Sequence, residues 1–275
     1  ATLDLLFGDV NPSGKLAETF PRRLEDNPSY LYFFGDEQNK TEYREGVFVG
    51  YRYYDKKNMD VLFPFGYGLS YTTFEYSNLT LDKSEMNDTD TLTVSVNVRN
   101  TGKVKGKEVV QLYVGMPESH TIRPVKELRG FEKVELEPGE EKTVTFTLAK
   151  RAFAYYRTDI SDWYVESGDY TIMAAKSSRD IACTATVNVT STTQIKRVYT
   201  MNSTIEEIME SPVGREILGK MMAQNPLAQA DADDIGMGEA MARMMAEMPL
   251  RALLSFGGDS VPAGAGEMLL KQLNA

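Results

Sequence analysis

The chain has 275 residues, of which 42% are hydrophobic and 25% are charged, so it is long enough to bury a substantial core and does not have a disordered composition. Its formal net charge of −10 argues against nucleic acid or an anionic membrane as a partner, because both bind clustered Lys and Arg. The single cysteine, Cys183, excludes an intrachain disulfide, and the single histidine, His120, excludes a multi-histidine metal site.

The amino-terminal residues are apolar from Leu3 to Phe7 and are followed at once by a turn at Gly8–Pro12. They lack the basic start and long apolar run of a signal peptide, and no segment approaches the roughly 20 apolar residues of a membrane-spanning helix. An apolar helical end before a turn is typical of the last turn of a longer element. The sequence therefore predicts a truncated or processed fragment of a longer protein.

Aromatic residues are concentrated between Tyr30 and Tyr76. Two interpretations are open. The rings could stack on sugars, or they could pack in the protein, where each buried ring removes about 150 to 250 Å² from water. Tyr-rich surfaces are equally typical of protein interfaces. We favour packing at an interface over sugar stacking.

From Phe74 to about Thr190 the hydrophobic period is two, as half-buried strands require. Glycine-containing turns separate the runs. Seven or so short strands predict an antiparallel β-sandwich, with Cys183 on the inward face of the last strand. The alternating runs are Leu92, Val94, Val96, Val98; Val109, Gln111, Tyr113; Val144, Phe146, Leu148; Tyr170, Ile172, Ala174; and Ile181 to Val189.

After about Met201 the period becomes helical. Thr204 and Glu207 have the spacing of a capping box, Pro212 predicts a second helix start, and a last helix is expected from about Gly266 to Leu273. A methionine stripe predicts an apolar face packed on another surface, in preference to a copper site, because no cysteine or histidine joins it. The stripe consists of Met237, Met241, Met244, Met245 and Met248.

Local motifs for catalysis are weak. Gly66-Tyr67-Gly68 lacks the third glycine and the βαβ setting of a dinucleotide site. His120 adjoins Ser119 but no G-x-S-x-G elbow exists, so a solvent-facing loop histidine is expected. With 40 acidic residues, spacing alone assigns no carboxylate pair.

Longer motifs carry a specific resemblance. The chain resembles glycoside hydrolase family 3 over residues 3 to about 190, with the motifs in the family's order. They are Leu6–Leu16, Thr19–Pro21, Glu45–Gly46, Val49–Asp55, Phe63–Thr72, Glu108–Val114, Pro124–Phe131, Pro138–Glu140, Trp163–Tyr170 and Ser177–Ile181.

The resemblance implies a domain organisation. Family members have a (β/α)8-type barrel with the aspartate nucleophile, an α/β sandwich domain with the acid/base, and a fibronectin type III-like domain. Residues 1–62 would then be the terminal part of the α/β sandwich domain, 63–190 the fibronectin type III-like antiparallel β-sandwich, and 191–275 a helical, Met-rich extension. The expected fold class is therefore mainly β: the β-sandwich is preceded by the end of an α/β sandwich domain and followed by a helical tail.

The resemblance also implies a function. The chain would be the carboxy-terminal portion of a retaining, exo-acting β-glycosidase of the β-glucosidase type, and would brace the catalytic domains. The family's nucleophile lies in a similar Ser-Asp-Trp string, but that string closes a barrel strand, whereas Asp162 precedes a Gly168-Asp169 turn. We therefore assign no catalytic, cofactor-binding or metal-ligating residue to this chain, and expect it to be inactive alone.

Two alternatives remain open at this point: a free-standing fibronectin-like binding module without an enzymatic parent, and a permuted glycosidase that uses Asp162. The partners expected under the leading hypothesis are the missing amino-terminal catalytic domains, a glycoside substrate through them, and a second copy through the helical tail. No cofactor, nucleic acid or membrane is expected, and the cytoplasm is preferred to secretion.

Overall fold

The computed structural model describes residues 2–33, 40–195, 198–223, 243–256 and 264–274. The chain divides into two compact units, Ala1–Gln194 and Ile195–Ala275. The first unit is built mainly from strands and the second from helices. In the described ranges no helix is both long enough and apolar enough to cross a membrane.

The centre of the first unit is a sandwich of two sheets. One sheet has five strands in the order β4-β12-β11-β6-β7, and the other has three in the order β3-β5-β8. The strands are β1 (Phe20–Pro21), β2 (Val61–Phe63), β3 (Phe74–Leu81), β4 (Glu85–Asn87), β5 (Leu92–Asn100), β6 (Gly106–Gly115), β7 (Glu127–Leu136), β8 (Glu141–Leu148), β9 (Tyr155–Arg157), β10 (Asp162–Tyr164), β11 (Gly168–Ser177) and β12 (Asp180–Thr190). Within the two sheets neighbouring strands are antiparallel, except that β4 lies parallel to β12. The predicted β-sandwich is confirmed, with one short parallel pair.

Strand β5 shows how the sequence pattern makes the core. Its apolar residues from Leu92 to Val98 are fully buried, and the residues between them face away from the core. Strand β8 pairs with β5 so that Val144 and Phe146 lie on the same inward face. Alternation with a period of two therefore places one face of the smaller sheet against the larger sheet.

Strand β6 differs from the prediction. Its core-facing residues are Val110, Leu112 and Val114, whereas Gln111 and Tyr113 lie on the opposite face. That opposite face is also buried, because Tyr113 packs with Tyr51 in a second cluster. A strand covered on both faces shows no clean alternation, so the run Val109, Gln111, Tyr113 does not identify the core-facing residues.

The amino-terminal segment lies on the sandwich and has little regular structure. It contains α1 (Thr2–Phe7), a 3₁₀ helix (Leu24–Asp26), α2 (Tyr51–Lys56) and the short pair β1–β2. Its buried residues Tyr51 and Tyr54 belong to helix α2, while Leu6 and Phe7 are 73% and 80% exposed. In its described part the segment therefore has no core of its own.

The second unit is a small helical assembly with its own core. Within the described ranges its helices include α3 (Ile205–Met209), α4 (Pro212–Ala223), α5 (Leu250–Phe256) and α6 (Ala265–Leu273). The predicted capping box is present, because Thr204 accepts a hydrogen bond from the Glu207 amide and the Glu207 carboxylate accepts one from the Thr204 amide. The core consists of Tyr199, Ile205, Ile208, Leu218, Leu250, Leu269 and Leu273.

The methionine stripe is only partly described. Met237 and Met241 lie outside the described residues. Of the others, Met248 packs against the core of the second unit and Met244 is exposed. The stripe as a docking face, and self-association through it, therefore stay predictions.

Candidate functional site: the junction of the amino-terminal segment with the sandwich

The two longest glycine-containing motifs hold each other in place. The Gly66 amide donates to the Leu16 carbonyl and the Leu16 amide donates to the Tyr67 carbonyl, both at 2.8 Å. Gly66 has a φ of +81° and a Cβ there would overlap the Gln111 side chain. Gln111 in turn donates to the Gly66 carbonyl at 3.0 Å. These contacts explain why the Phe63–Thr72 motif requires glycine at position 66.

Lys15 is inserted into the sandwich beside a buried carboxylate. Its Nζ lies 3.1 Å from Glu108 Oε1, and Tyr76 donates its hydroxyl to the same oxygen at 3.0 Å. Burial, together with the charge of Glu108 and its hydrogen bond, raises the pKa of Tyr76 well above its usual range. Tyr76 therefore stays a neutral donor, and the buried Glu108 charge is paired by Lys15.

Helix α2 is fixed to the sandwich by a second buried carboxylate. Asp55 accepts hydrogen bonds from Lys126 Nζ at 2.8 Å and from Arg179 Nε at 3.0 Å. The Tyr51 hydroxyl accepts the Leu128 amide at 2.8 Å, at the start of strand β7. The motifs around Asp55, Lys126 and Arg179 are far apart in sequence, and this helix is where they meet.

The Trp163–Tyr170 motif fixes a loop of the sandwich. Glu166, which is 8% exposed, accepts hydrogen bonds from Ser119 Oγ at 2.6 Å and from the His120 amide at 2.8 Å. Burial opposes ionisation of Glu166, but these hydrogen bonds outweigh it, so the pKa of Glu166 is lowered. The His120 side chain is 90% exposed, as expected, although its Nδ1 also contacts Glu166. Ser119 and His120 each bind the carboxylate instead of forming a nucleophile–base pair.

Asp162 lies at the surface on a two-stranded hairpin. It is exposed on β10, opposite Arg157 of β9, and its Oδ1 accepts the amide of Trp163 at 2.7 Å. This hairpin is separate from both sheets of the sandwich. The structure thus places the Ser-Asp-Trp string at an exposed hairpin, and the absence of a catalytic residue in this chain stays our prediction.

A cavity of about 410 Å³ lies in the amino-terminal segment beside helix α2. Tyr51, Tyr54 and Phe65 contribute aromatic walls. The residues that line it further are Ala17, Glu18, Thr19, Asn27, Pro28, Ser29, Glu45, Val49, Gly50 and Arg52. In the described ranges no group of three or more His, Cys, Asp or Glu side chains is arranged to hold a metal ion.

Comparison with known proteins identifies the family. Residues 1–71 match the glycosyl hydrolase family 3 C-terminal domain, and residues 108–178 match the fibronectin type III-like domain. The chain therefore belongs to glycoside hydrolase family 3 and corresponds to the carboxy-terminal portion of its members, as the motifs predicted.

Individual relatives extend this match. The whole chain is 51% identical to thermostable beta-glucosidase B of Acetivibrio thermocellus, and covers 36% of that protein. It is 42% identical over 260 residues to an exo-alpha-(1->6)-L-arabinopyranosidase of Bifidobacterium breve, covering 94% of this chain and 33% of that one. The crystal structure of a Bifidobacterium adolescentis GH3 beta-glucosidase matches with a TM-score of 0.67 and 42% identity, over 78% of this chain and 31% of the other. The chain spans about a third of the length of these relatives.

Sequence reasoning located the motifs but missed their contacts. Glu108 and Gln111 are buried polar residues within strand β6, and such residues are the available signal for a hydrogen-bonded junction. The role of Asp55 and the existence of the cavity had no comparable signal, because both depend on residues brought together from separate loops.

Proposed function

We propose that this chain is the structural, carboxy-terminal part of a retaining, exo-acting β-glucosidase-type enzyme that removes terminal non-reducing sugars. The observation that carries the proposal is the 51% identity across all 275 residues to a beta-glucosidase about three times as long. The catalytic carboxylates belong to upstream domains, and this chain contributes none.

The junction is the physical basis of the bracing role. Buried ion pairs at Lys15–Glu108 and Asp55–Lys126 fix the amino-terminal segment on the β-sandwich. Apolar side chains of α1 remain exposed on the same segment. Exposed apolar clusters of this kind suit a protein partner, here the upstream domains of the same enzyme.

The proposed domain organisation follows the same division. Residues 1–62 complete the upstream α/β sandwich domain, 63–190 form the fibronectin type III-like domain, and 191–275 form the helical extension. The match to the C-terminal family domain up to residue 71 and the end of the first compact unit at Gln194 support boundaries near these positions.

The activity is tested on the full-length enzyme that contains this chain. We expect hydrolysis of an aryl β-glucoside, with β-glucose as the first product in proton NMR, because a covalent glycosyl-enzyme inverts the anomeric carbon twice. The first product being α-glucose would refute the retaining mechanism. Absence of hydrolysis would refute the β-glucosidase assignment.

A second candidate activity is exo-α-L-arabinopyranosidase. The Bifidobacterium breve relative of that name aligns with 94% of this chain, which includes most of the helical extension. The same full-length enzyme is assayed with an aryl α-L-arabinopyranoside. A larger kcat/KM for this substrate than for the aryl β-glucoside would favour the second candidate.

A further inference from the structure

A buried carboxylate of the sandwich binds the residue at which the chain leaves it. Strand β12 ends at Thr190, and the first compact unit ends at Gln194. Asp88, in the loop after β4, is fully buried, and its Oδ1 accepts hydrogen bonds from the Thr192 amide at 2.8 Å and from the Thr192 hydroxyl at 2.6 Å. Both polar donors of Thr192 therefore bind one carboxylate that lies 104 positions earlier in the sequence.

The same carboxylate also contacts the smaller sheet. Asp88 Oδ2 lies 2.9 Å from Lys150 Nζ, and Lys150 begins the 3₁₀ helix Lys150–Ala152 that follows strand β8. Burial opposes ionisation of Asp88, but the hydrogen bonds from Thr192 and the contact with Lys150 outweigh it, so the pKa of Asp88 is lowered. Asp88 is therefore a charged acceptor that joins both sheets to the residues after β12.

These contacts lie beyond the strand pairing. The ladder between β4 and β12 ends at the pair Asn87 and Thr190, two residues before Thr192. The Ser191 amide donates to Ser167 Oγ at 2.9 Å, so the next residue along the chain is also bound. A carboxylate is costly to bury unless it is paired and hydrogen-bonded, and part of that compensation comes here from a residue outside the sheet.

The second unit has a similar arrangement where the chain enters it. The Tyr199 amide donates to Asn274 Oδ1 at 2.7 Å, and the Tyr199 carbonyl accepts a hydrogen bond from Asn274 Nδ2 at 2.9 Å. Asn274 follows helix α6, at the other end of this unit. We call residues 193–198 the connector. Side chains that are distant in sequence thus bind the residue on each side of the connector.

We propose that Asp88 and Asn274 fix the two ends of the connector, and that Asp88 keeps the connector short. Without Asp88, the residues that follow β12 would separate from the sandwich as far back as Thr190. The connector would then be longer and easier for a protease to bind, because proteases cleave segments that open locally. This device does not depend on the proposed glycosidase activity.

The test is limited proteolysis of the purified chain by proteinase K, with cleavage between residues 190 and 199 identified by intact mass. We expect Asp88→Ala to speed this cleavage at least about tenfold, because hydrogen bonds to a charged group are stronger than neutral ones. Thr192→Val, which removes only the hydroxyl, should speed it at least about threefold. Thr193→Val is the matched control, since its hydroxyl is not part of the contact with Asp88, and should leave the rate unchanged.

Thermal melting of each variant verifies folding, and Thr192→Val decides the question if Asp88→Ala does not fold, because it leaves the ion pair with Lys150 in place. Wild-type cleavage rates in both variants would overturn the proposal. An equal effect of Thr193→Val would do the same. Cleavage that rises as much within the strands of the sandwich as between residues 190 and 199 would show general destabilisation, and would also overturn it.

Discussion

At the residue scale, the ion pair of Lys15 with Glu108 is one of the buried contacts that hold the junction together. The two side chains are 16% and 6% exposed. Lys15→Met leaves the Glu108 carboxylate buried without its cation, so we expect the free energy of unfolding in urea to fall by about 3 kcal/mol. Lys83→Met removes a surface partner of Asp82 and should lower the free energy of unfolding by less than about 1 kcal/mol. Equal losses for the two variants would contradict this account.

Glu166 makes stability depend on pH. Its pKa is lowered in the folded chain, whereas an unfolded Glu titrates near about 4.3. Its carboxylate therefore stabilises the fold above the unfolded pKa, and this contribution is lost as the pH falls through the folded pKa. We expect Glu166→Gln to lower the free energy of unfolding by about 1 to 3 kcal/mol at pH 7.

The difference between wild type and Glu166→Gln should then shrink below about pH 4, because protonation removes the advantage of the carboxylate. Urea unfolding at several pH values measures it. Glu132→Gln, at an exposed glutamate, should show no such difference. A penalty for Glu166→Gln that is the same at pH 7 and pH 3 would argue against the proposed role of its charge.

At the scale of elements, the Phe63–Thr72 motif holds the amino-terminal segment on the sandwich through Gly66. The substitution Gly66→Ala tests this role. Gly66 combines a φ of +81° with direct contact to Gln111, whereas Gly139 in the β7–β8 turn has a φ of +79° and open space around it. A positive φ alone costs an alanine about 1 to 2 kcal/mol. We expect Gly139→Ala to lose about that amount and Gly66→Ala to lose at least about 1 kcal/mol more, measured by urea unfolding. Equal losses of unfolding free energy for Gly139→Ala and Gly66→Ala would show that the contact of Gly66 with Gln111 does not contribute.

The elements differ in how well sequence predicts them. Strands β5 and β8 have one buried face, so their alternation was sufficient to place Leu92 to Val98 in the core. Strand β6 is buried on both faces, so no local pattern shows that Tyr113 lies beneath helix α2. The capping box at Thr204 was predictable because both partners lie within one helical turn.

The junction was less predictable than the sandwich for a physical reason. Its contacts join residues that are distant in sequence, such as Lys15 to Glu108 and Asp55 to Arg179. No periodicity connects such positions. The family motifs marked these residues as important, and only the three-dimensional arrangement assigned each of them a partner.

At the scale of the whole molecule, the first unit combines a well-formed β-sandwich with an amino-terminal segment whose described residues form no separate core. Exposed apolar residues such as Leu6, Phe7 and Leu31 lie on that segment. A free-standing binding module would be expected to cover them. We therefore propose that the upstream domains cover these residues and contain both catalytic carboxylates.

The most direct test of this central claim is hydrolysis of an aryl β-glucoside by the purified chain, alone and mixed with the upstream portion of the enzyme. We expect no turnover by the chain alone, because retaining hydrolysis requires two carboxyl groups about 5 to 5.5 Å apart across the sugar. We expect activity in the mixture, and Asp162→Asn in this chain should leave that activity unchanged. Turnover by the chain alone that Asp162→Asn abolishes would contradict the account.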